Sequence, residues 1–224
     1  LNHDVDVVFL GTSHVVNGIF PMDLWMKDGI TSYNLATYES RMAMNYWKLR
    51  NALLYTTPKL VVIDCYSMDD VKANVRPSFI RQAFDTVPIS REKISAMLDL
   101  YNNPSEFFQY MSPFSAFHTV WDPSNDILIQ DRPAGSMGNV CVFSLLNYAD
   151  KISLPDYATD VSNVGFDYLD KIINLCKERD IEVLLTYIPT LMSEFEANSA
   201  VYLSKFAKEH DVNYIDPVFL SDYI

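Results

Sequence analysis

Val5-Asp6-Val7-Val8-Phe9-Leu10, running into Gly11-Thr12-Ser13-His14, is the stretch whose reading decides the fold. Apart from Asp6 the run is apolar and rich in β-branched valine. It lacks the in-and-out alternation of a strand with one face in water, and so reads as a strand covered by helices on both sides. Gly11 ends it, and Thr12 and Ser13 are residue types that cap turns and helix starts. A buried strand that breaks at once into a tight polar turn is the expected opening of an α/β domain.

Outward from this opening, strand and helix signals alternate. Pro21 stands at a helix start and Gly29 just past its end, around Met22 to Lys27, the order helix punctuation prefers. Ile30 to Leu35 predicts a second strand. From Ser40 to about Leu54, Ala43, Tyr46, Trp47 and Leu54 recur at helical spacing, with Arg41, Lys48 and Arg50 on the other face, and Pro58 closes the segment. Leu60-Val61-Val62-Ile63 is the plainest strand of the chain, with Asp64-Cys65-Tyr66 at its C-terminal end. Near the C-terminus, Leu169, Ile172, Ile173 and Cys176 form a helical stripe before a strand at Ile181 to Tyr187. Ser193 and Glu196 make a capping box for a helix buried through Phe195, Tyr202, Leu203 and Phe206, and Val212 to Ile215 is the last strand. Five buried strands separated by helices predict a doubly wound, flavodoxin-like, mostly parallel five-stranded sheet with helices on both faces and right-handed crossovers.

The alternation breaks from about residue 67 to 160, which holds seven of the 11 prolines. The segment reads as a largely helical and irregular insertion within a single domain spanning 1–224. Ile89 and Ile94 straddle Ser90 as a hydrophobic staple, opening a helix to about Tyr101. Phe107-Phe108, Phe114, Phe117-His118 and Trp121 follow in Pro- and Ser-punctuated turns too irregular for one amphipathic helix, suited to a lid or side wall at the C-terminal edge of the sheet.

Composition removes several function classes. With 224 residues, 49% of them hydrophobic, the chain suffices for one sizeable core. A net charge of −12 repels phosphate backbones, so no nucleic-acid partner is expected. No apolar run approaches the length of a membrane span, and the N-terminus lacks the order of a signal peptide. The start at Leu1, close to the first strand, leads us to expect an upstream segment, a signal or membrane anchor among the possibilities. Cys65, Cys141 and Cys176 are widely spaced in apolar settings and read as buried thiols rather than a disulfide framework or metal knuckle. Gly-x-Gly-x-x-Gly, Walker, His-Glu-x-x-His and Cys-x-x-Cys patterns are missing, so no cofactor and no metal are expected. Asp69-Asp70 alone lack the further ligand spacing of a hard-cation site.

In an open parallel sheet the crevice lies beyond the C-terminal strand ends, where connections leave to opposite faces. That rule selects Ser13 after the first strand, Asn34 to Thr37 after the second, Asp64 to Tyr66 after the third and Pro189-Thr190 after the Tyr187 strand. A serine fixed in a tight turn there can be presented to a carbonyl, with backbone N–H groups stabilising the oxyanion. The structural alternative is that Ser13 caps its turn or a helical piece that follows.

The blocks Asp6 to His14, Ser32-Tyr33-Asn34-Leu35-Ala36 and Pro58 to Tyr66 resemble those of bacterial SGNH/GDSL-like hydrolases. The resemblance is closest to the extracytoplasmic, often membrane-anchored branch related to the DltD and alginate O-acetylation proteins of cell-wall and exopolysaccharide acylation. It covers the first third of the chain by motif and the last third by topology, and residues 112 to 121 look like an insert segment of that branch. The resemblance implies that Ser13 is the nucleophile, that the N–H groups of Ser13 and Ala36 form the oxyanion hole with Asn34 in the same block, and that the substrate is a carbohydrate or other acyl ester. It also implies a place in the cell envelope or outside the cell. Ala36 stands where the family usually has Gly, which requires a negative φ. Asp64-Cys65-Tyr66 stand where the family offers an Asn donor, and an ionised Asp64 would repel an oxyanion.

The family's Asp-x-x-His, in which His takes the serine proton and Asp holds its tautomer, has no match here. Asp216 closes the last strand and no His follows His210. We therefore expect the base to lie beyond Ile224, since a doubly wound domain normally ends in a helix over its last strand and none follows Ile215. Within the chain the alternative bases are His14, whose side chain need not face that of its neighbour Ser13, and His118, which as an aromatic-segment residue is otherwise a packing group. His210 reads as a favourable partner of a helix C-terminus, and His3 as exposed. Two functions follow: a serine esterase or O-acyltransferase on acylated cell-wall or exopolysaccharide sugars, or a non-catalytic relative that binds glycan or a partner through the same crevice.

Overall fold

The computed structural model describes residues 5–66, 68, 77–101, 103–111, 163–188 and 194–215. Its centre is β1 (Val7–Leu10), flanked by β2 (Ser32–Asn34) and β3 (Leu60–Asp64), with β4 (Glu182–Thr186) and β5 (Asn213–Ile215) beyond β3. All pairings are parallel and the order is β2-β1-β3-β4-β5. This is the doubly wound, flavodoxin-like sheet the alternation predicted. Register carries Val7 opposite both Ser32 and Leu60, and Leu60 opposite Glu182.

Side chains on the two faces of the sheet feed separate cores. Val8, Leu10, Val61, Ile63, Val183 and Leu185 join a large cluster with α3 (Met42–Ala52), α5 (Arg91–Leu100), α7 (Val164–Lys177) and α8 (Glu194–Glu209). The opposite face is smaller: Phe9 and Val62 meet Val15, Val16 and Ala36, with Leu24 of α2 (Pro21–Asp28) packed against them. Here Leu60 and Leu184 remain half-buried and Ile215 is 43% exposed.

Local signals account for most boundaries. Pro21 opens α2 and Gly29, at φ 70°, ends it in the left-handed conformation. Ser90 caps α5 by accepting the Lys93 N–H at 3.0 Å, although Ile89 is 80% exposed, so the staple contributes little burial. In α7 the stripe Leu169, Ile172, Ile173 and Cys176 is wholly buried, and Asn163 caps its start by accepting the Gly165 and Phe166 N–H groups. Ser193 lies outside the described residues.

Three features depart from the sequence reading. A short helix, α1 (Ser13–Gly18), starts directly at Ser13, where a turn was expected. Phe107 and Phe108 lie on a regular helix, α6 (Pro104–Met111), because Pro104 presets its first turn and the Asn103 carboxamide accepts the Ser105 N–H at 2.9 Å. Lys48, expected on the outer face of α3, is only 4% exposed. Helix α3 packs against α5 and α7 and shares a buried cluster with the sheet, which leaves it no fully wet face. The insertion thus contributes α4 (Pro77–Phe84), α5 and α6; Phe114, Phe117, His118 and Trp121 lie outside the described residues.

Candidate active site

Connections leave β1 and β2 on opposite faces of the sheet, so the crevice of this strand order lies at the C-terminal ends of β1 and β3. Gly11 makes the close packing there possible. A Cβ on it would stand 2.9 Å from Asp64 Cβ and would overlap Val15 Cγ2. The chain can therefore turn straight from β1 into α1. Thr12 caps the helix with a long bond from the His14 N–H, 3.5 Å, and its carbonyl accepts the Val16 N–H at 3.1 Å. Ser13 is thereby the first residue of α1, half-buried at the crevice edge. Helix α1 is held down by Val15 and Val16, both buried.

Asn34 at the end of β2 fixes α1 from the side. It is fully buried, its Nδ2 donates to Val15 O at 2.7 Å, and its Oδ1 accepts the Ala36 N–H at 3.1 Å. The Ala36 N–H, expected to face an oxyanion, is therefore committed to the Asn34 side chain. Ala36 is not among the residues with positive φ, so its methyl group is accommodated as the resemblance required. Thr37 continues the seam, its N–H reaching Gly11 O at 3.4 Å and its hydroxyl accepting from Lys48 Nζ at 3.0 Å. A buried lysine thus stands one residue from the Ser13 turn; nothing in its spacing on α3 distinguished it from a solvated charge. Tyr38 adds a further tie to α1, its hydroxyl donating to Asn17 Oδ1 at 3.0 Å.

Across the switch point, the His14 ring meets Tyr66 edge-on at 4.1 Å between centroids, and Tyr66 meets Tyr187 at 6.0 Å. An aromatic row therefore runs from α1 over the end of β3 to the end of β4. Tyr187 escaped the sequence reading, although its place at a strand's C-terminal end was a usable signal. Asp64 lies under this row with no solvent exposure. Its Oδ1 accepts the Ile188 N–H at 3.1 Å, and Oδ2 has no hydrogen-bond partner among the described residues. Burial pushes its carboxyl up to about 7, against the weaker opposing pull of the Ile188 and Tyr66 amides. Near neutrality the acid form is well populated, and that form is a donor rather than a source of repulsion.

Ser13, His14, Asn34, Ala36, Asp64 and Tyr66 are thus brought to one edge of the sheet by direct contacts among their neighbourhoods, whereas His118, Pro189, Thr190 and Asp216 fall outside the described residues. His210 ends α8, where its ring stacks on Phe206 at 3.9 Å and its Nε2 meets Asp170 Oδ1 at 3.1 Å, a helix-terminal role. Cys65 and Cys176 are buried free thiols. Among the described residues no group of His, Cys, Asp and Glu could hold a metal ion, and no helix is long and apolar enough to cross a membrane. No protein-family model and no curated protein matches the chain.

Proposed function

We propose that the chain is an SGNH-like serine esterase or O-acyltransferase acting on acylated cell-wall or exopolysaccharide carbohydrate outside the cytoplasm. The observation that carries this reading is the seat of Ser13: first residue of a helix that leaves β1 at the switch point, clamped by Gly11 below and Asn34 beside it. In this mechanism Ser13 Oγ bonds to the ester carbonyl carbon while a histidine takes its proton, and the oxyanion faces the Ser13 N–H. Collapse expels the sugar alcohol, which recovers the proton, and leaves an acyl-serine. Water or a second hydroxyl then accepts the acyl group. In the described site His14 is adjacent to the nucleophile, and the resemblance implies as base a histidine placed after the last strand.

The second reading, a non-catalytic glycan- or partner-binding domain, is favoured by the Ala36 N–H, which is donated to Asn34 and not to the crevice. Labelling of the full-length protein with a fluorophosphonate probe separates the two. The esterase reading expects covalent labelling that disappears in Ser13→Ala. Absence of labelling, or labelling that survives the substitution, sinks it.

A further inference from the structure

We infer that Asp64 is a positioning residue whose proton keeps the Gly11-Thr12-Ser13 turn packed against the ends of β3 and β4. Two contacts and one unpartnered atom support this. The Asp64 Cβ abuts Gly11 so closely that a side chain there would have to displace it, at 2.9 Å from an added Cβ. Its Oδ1 takes the Ile188 N–H and so ties β3 to the chain leaving β4. The other oxygen is sealed from solvent with no partner among the described residues. Asp64 thus sits where the ends of three neighbouring strands converge, directly beneath the turn that carries Ser13.

A neutral carboxyl tolerates such a seat; a carboxylate does not. Ionisation would leave a buried anion with only the Ile188 and Tyr66 amides to offset its lost hydration, and the group would regain solvation only if water entered between the β1 turn and the β4 end. The titratable groups around it are Cys65 and Tyr66, which follow it directly after β3, Tyr187 beyond β4, and His14 of α1, whose ring meets that of Tyr66. Burial is the dominant influence on its protonation and no cation figures among the others. Deprotonation therefore loosens the Ser13 seat from below. In so far as Ser13 is a nucleophile this makes the site proton-gated, a consequence that rests on the proposed esterase reading.

The test does not need catalysis. In isotope-labelled protein, nuclear magnetic resonance follows the Asp64 carboxyl carbon together with the Gly11, Thr12, Ser13 and Ile188 amides across the pH range. The expected result is one shared midpoint, about three pH units above an ordinary aspartate, and loss of that transition in Asp64→Asn, whose carboxamide oxygen still accepts the Ile188 N–H. Turn amides that do not move with the carboxyl, or that titrate unchanged in Asp64→Asn and lose the transition in His14→Gln, overturn the inference. Should Asp64→Asn not fold, the wild-type comparison decides, because unequal midpoints of the carboxyl and the Ser13 amide are enough to reject it. Ser13-dependent labelling can fail while this titration succeeds, and the reverse, so the two readings fall separately.

Discussion

Gly11 shows how much of the site depends on the absence of one side chain. The turn after β1 lets Asp64 and Val15 approach the Gly11 backbone to distances that a Cβ would violate, so the placement of α1, and with it Ser13, is set by a missing methyl group. Gly11→Ala would force α1 away from the sheet, an overpacking cost of about 1–3 kcal/mol. Gly18, at the end of the same helix, has nothing within 4 Å of its added Cβ. Gly18→Ala there is expected to be neutral or to stabilise by up to about 1 kcal/mol through the unfolded chain. Urea unfolding of the two variants, followed by tryptophan fluorescence, checks this pair, and equal effects would contradict it. Asn34 belongs to the same argument. Its carboxamide is spent on Val15 O and on the Ala36 N–H, so in this chain it acts as a strut for α1 rather than as a donor to a ligand.

At the scale of elements, the helices that back the site are joined by a carboxylate. Asp99 on α5 accepts from Trp47 Nε1 of α3 at 2.7 Å and from the Tyr168 hydroxyl of α7 at 2.5 Å, both on Oδ2. Burial and the Asp99 charge push the Tyr168 phenol well up, which keeps it a donor over all working pH. Removing the acceptor strands two donors in a half-buried place, and hydrogen bonds to charged groups contribute about 1.5–3 kcal/mol. Asp99→Ala is therefore expected to lower stability by on the order of 3 kcal/mol and to change Trp47 fluorescence; an unchanged urea midpoint would show that water replaces Asp99 at no cost. Such cross-helix ties were illegible in the sequence, since Trp47, Asp99 and Tyr168 are far apart in the chain and the helical period that includes Trp47 says nothing of the partner of its indole N–H. Strands β1 and β3 were legible because burial on both faces leaves their centres apolar, and α7 because Leu169, Ile172, Ile173 and Cys176 form an unbroken buried stripe. Helix α1 was not, because its six residues are too few for a periodic stripe and two adjacent valines also suit a strand. The positions at the crevice followed from strand ends alone, whereas their protonation and hydrogen bonding required the neighbours that only folding supplies, as Asp64 and Lys48 both show.

At the scale of the whole molecule, two of the described aspartates, at opposite ends of the sheet, give stability opposite dependences on pH. At the N-terminal edge the Asp6 carboxylate is held down at about 2, first by Lys59, whose Nζ lies 2.8 Å away, and then by the Thr31 hydroxyl and amide. A depressed carboxyl stabilises the fold at any pH above its unfolded value near 3.8, and this is lost as pH falls towards 2. Asp64 at the other edge has the opposite sign. Because its folded value is raised to about 7, the folded state holds a proton the unfolded chain has released, and stability declines as pH rises from about 4 to 7, then levels off. About three pH units of displacement correspond to a decline on the order of 4 kcal/mol. The net charge of −12 at pH 7 acts in the same direction, since self-repulsion fades as the chain approaches its isoelectric point of about 4.6. Stability should accordingly peak near pH 4–5 and not at neutrality. Salt divides the two contributions: self-repulsion among surface charges is screened at high ionic strength, while the cost of a buried carboxylate is not. Urea unfolding across this range in high salt should therefore retain most of the decline between pH 4 and 7 in the wild-type protein and lose it in Asp64→Asn. A decline that salt abolishes in the wild type, or that persists in the variant, would assign the effect to surface charge and leave Asp64 with an ordinary carboxyl.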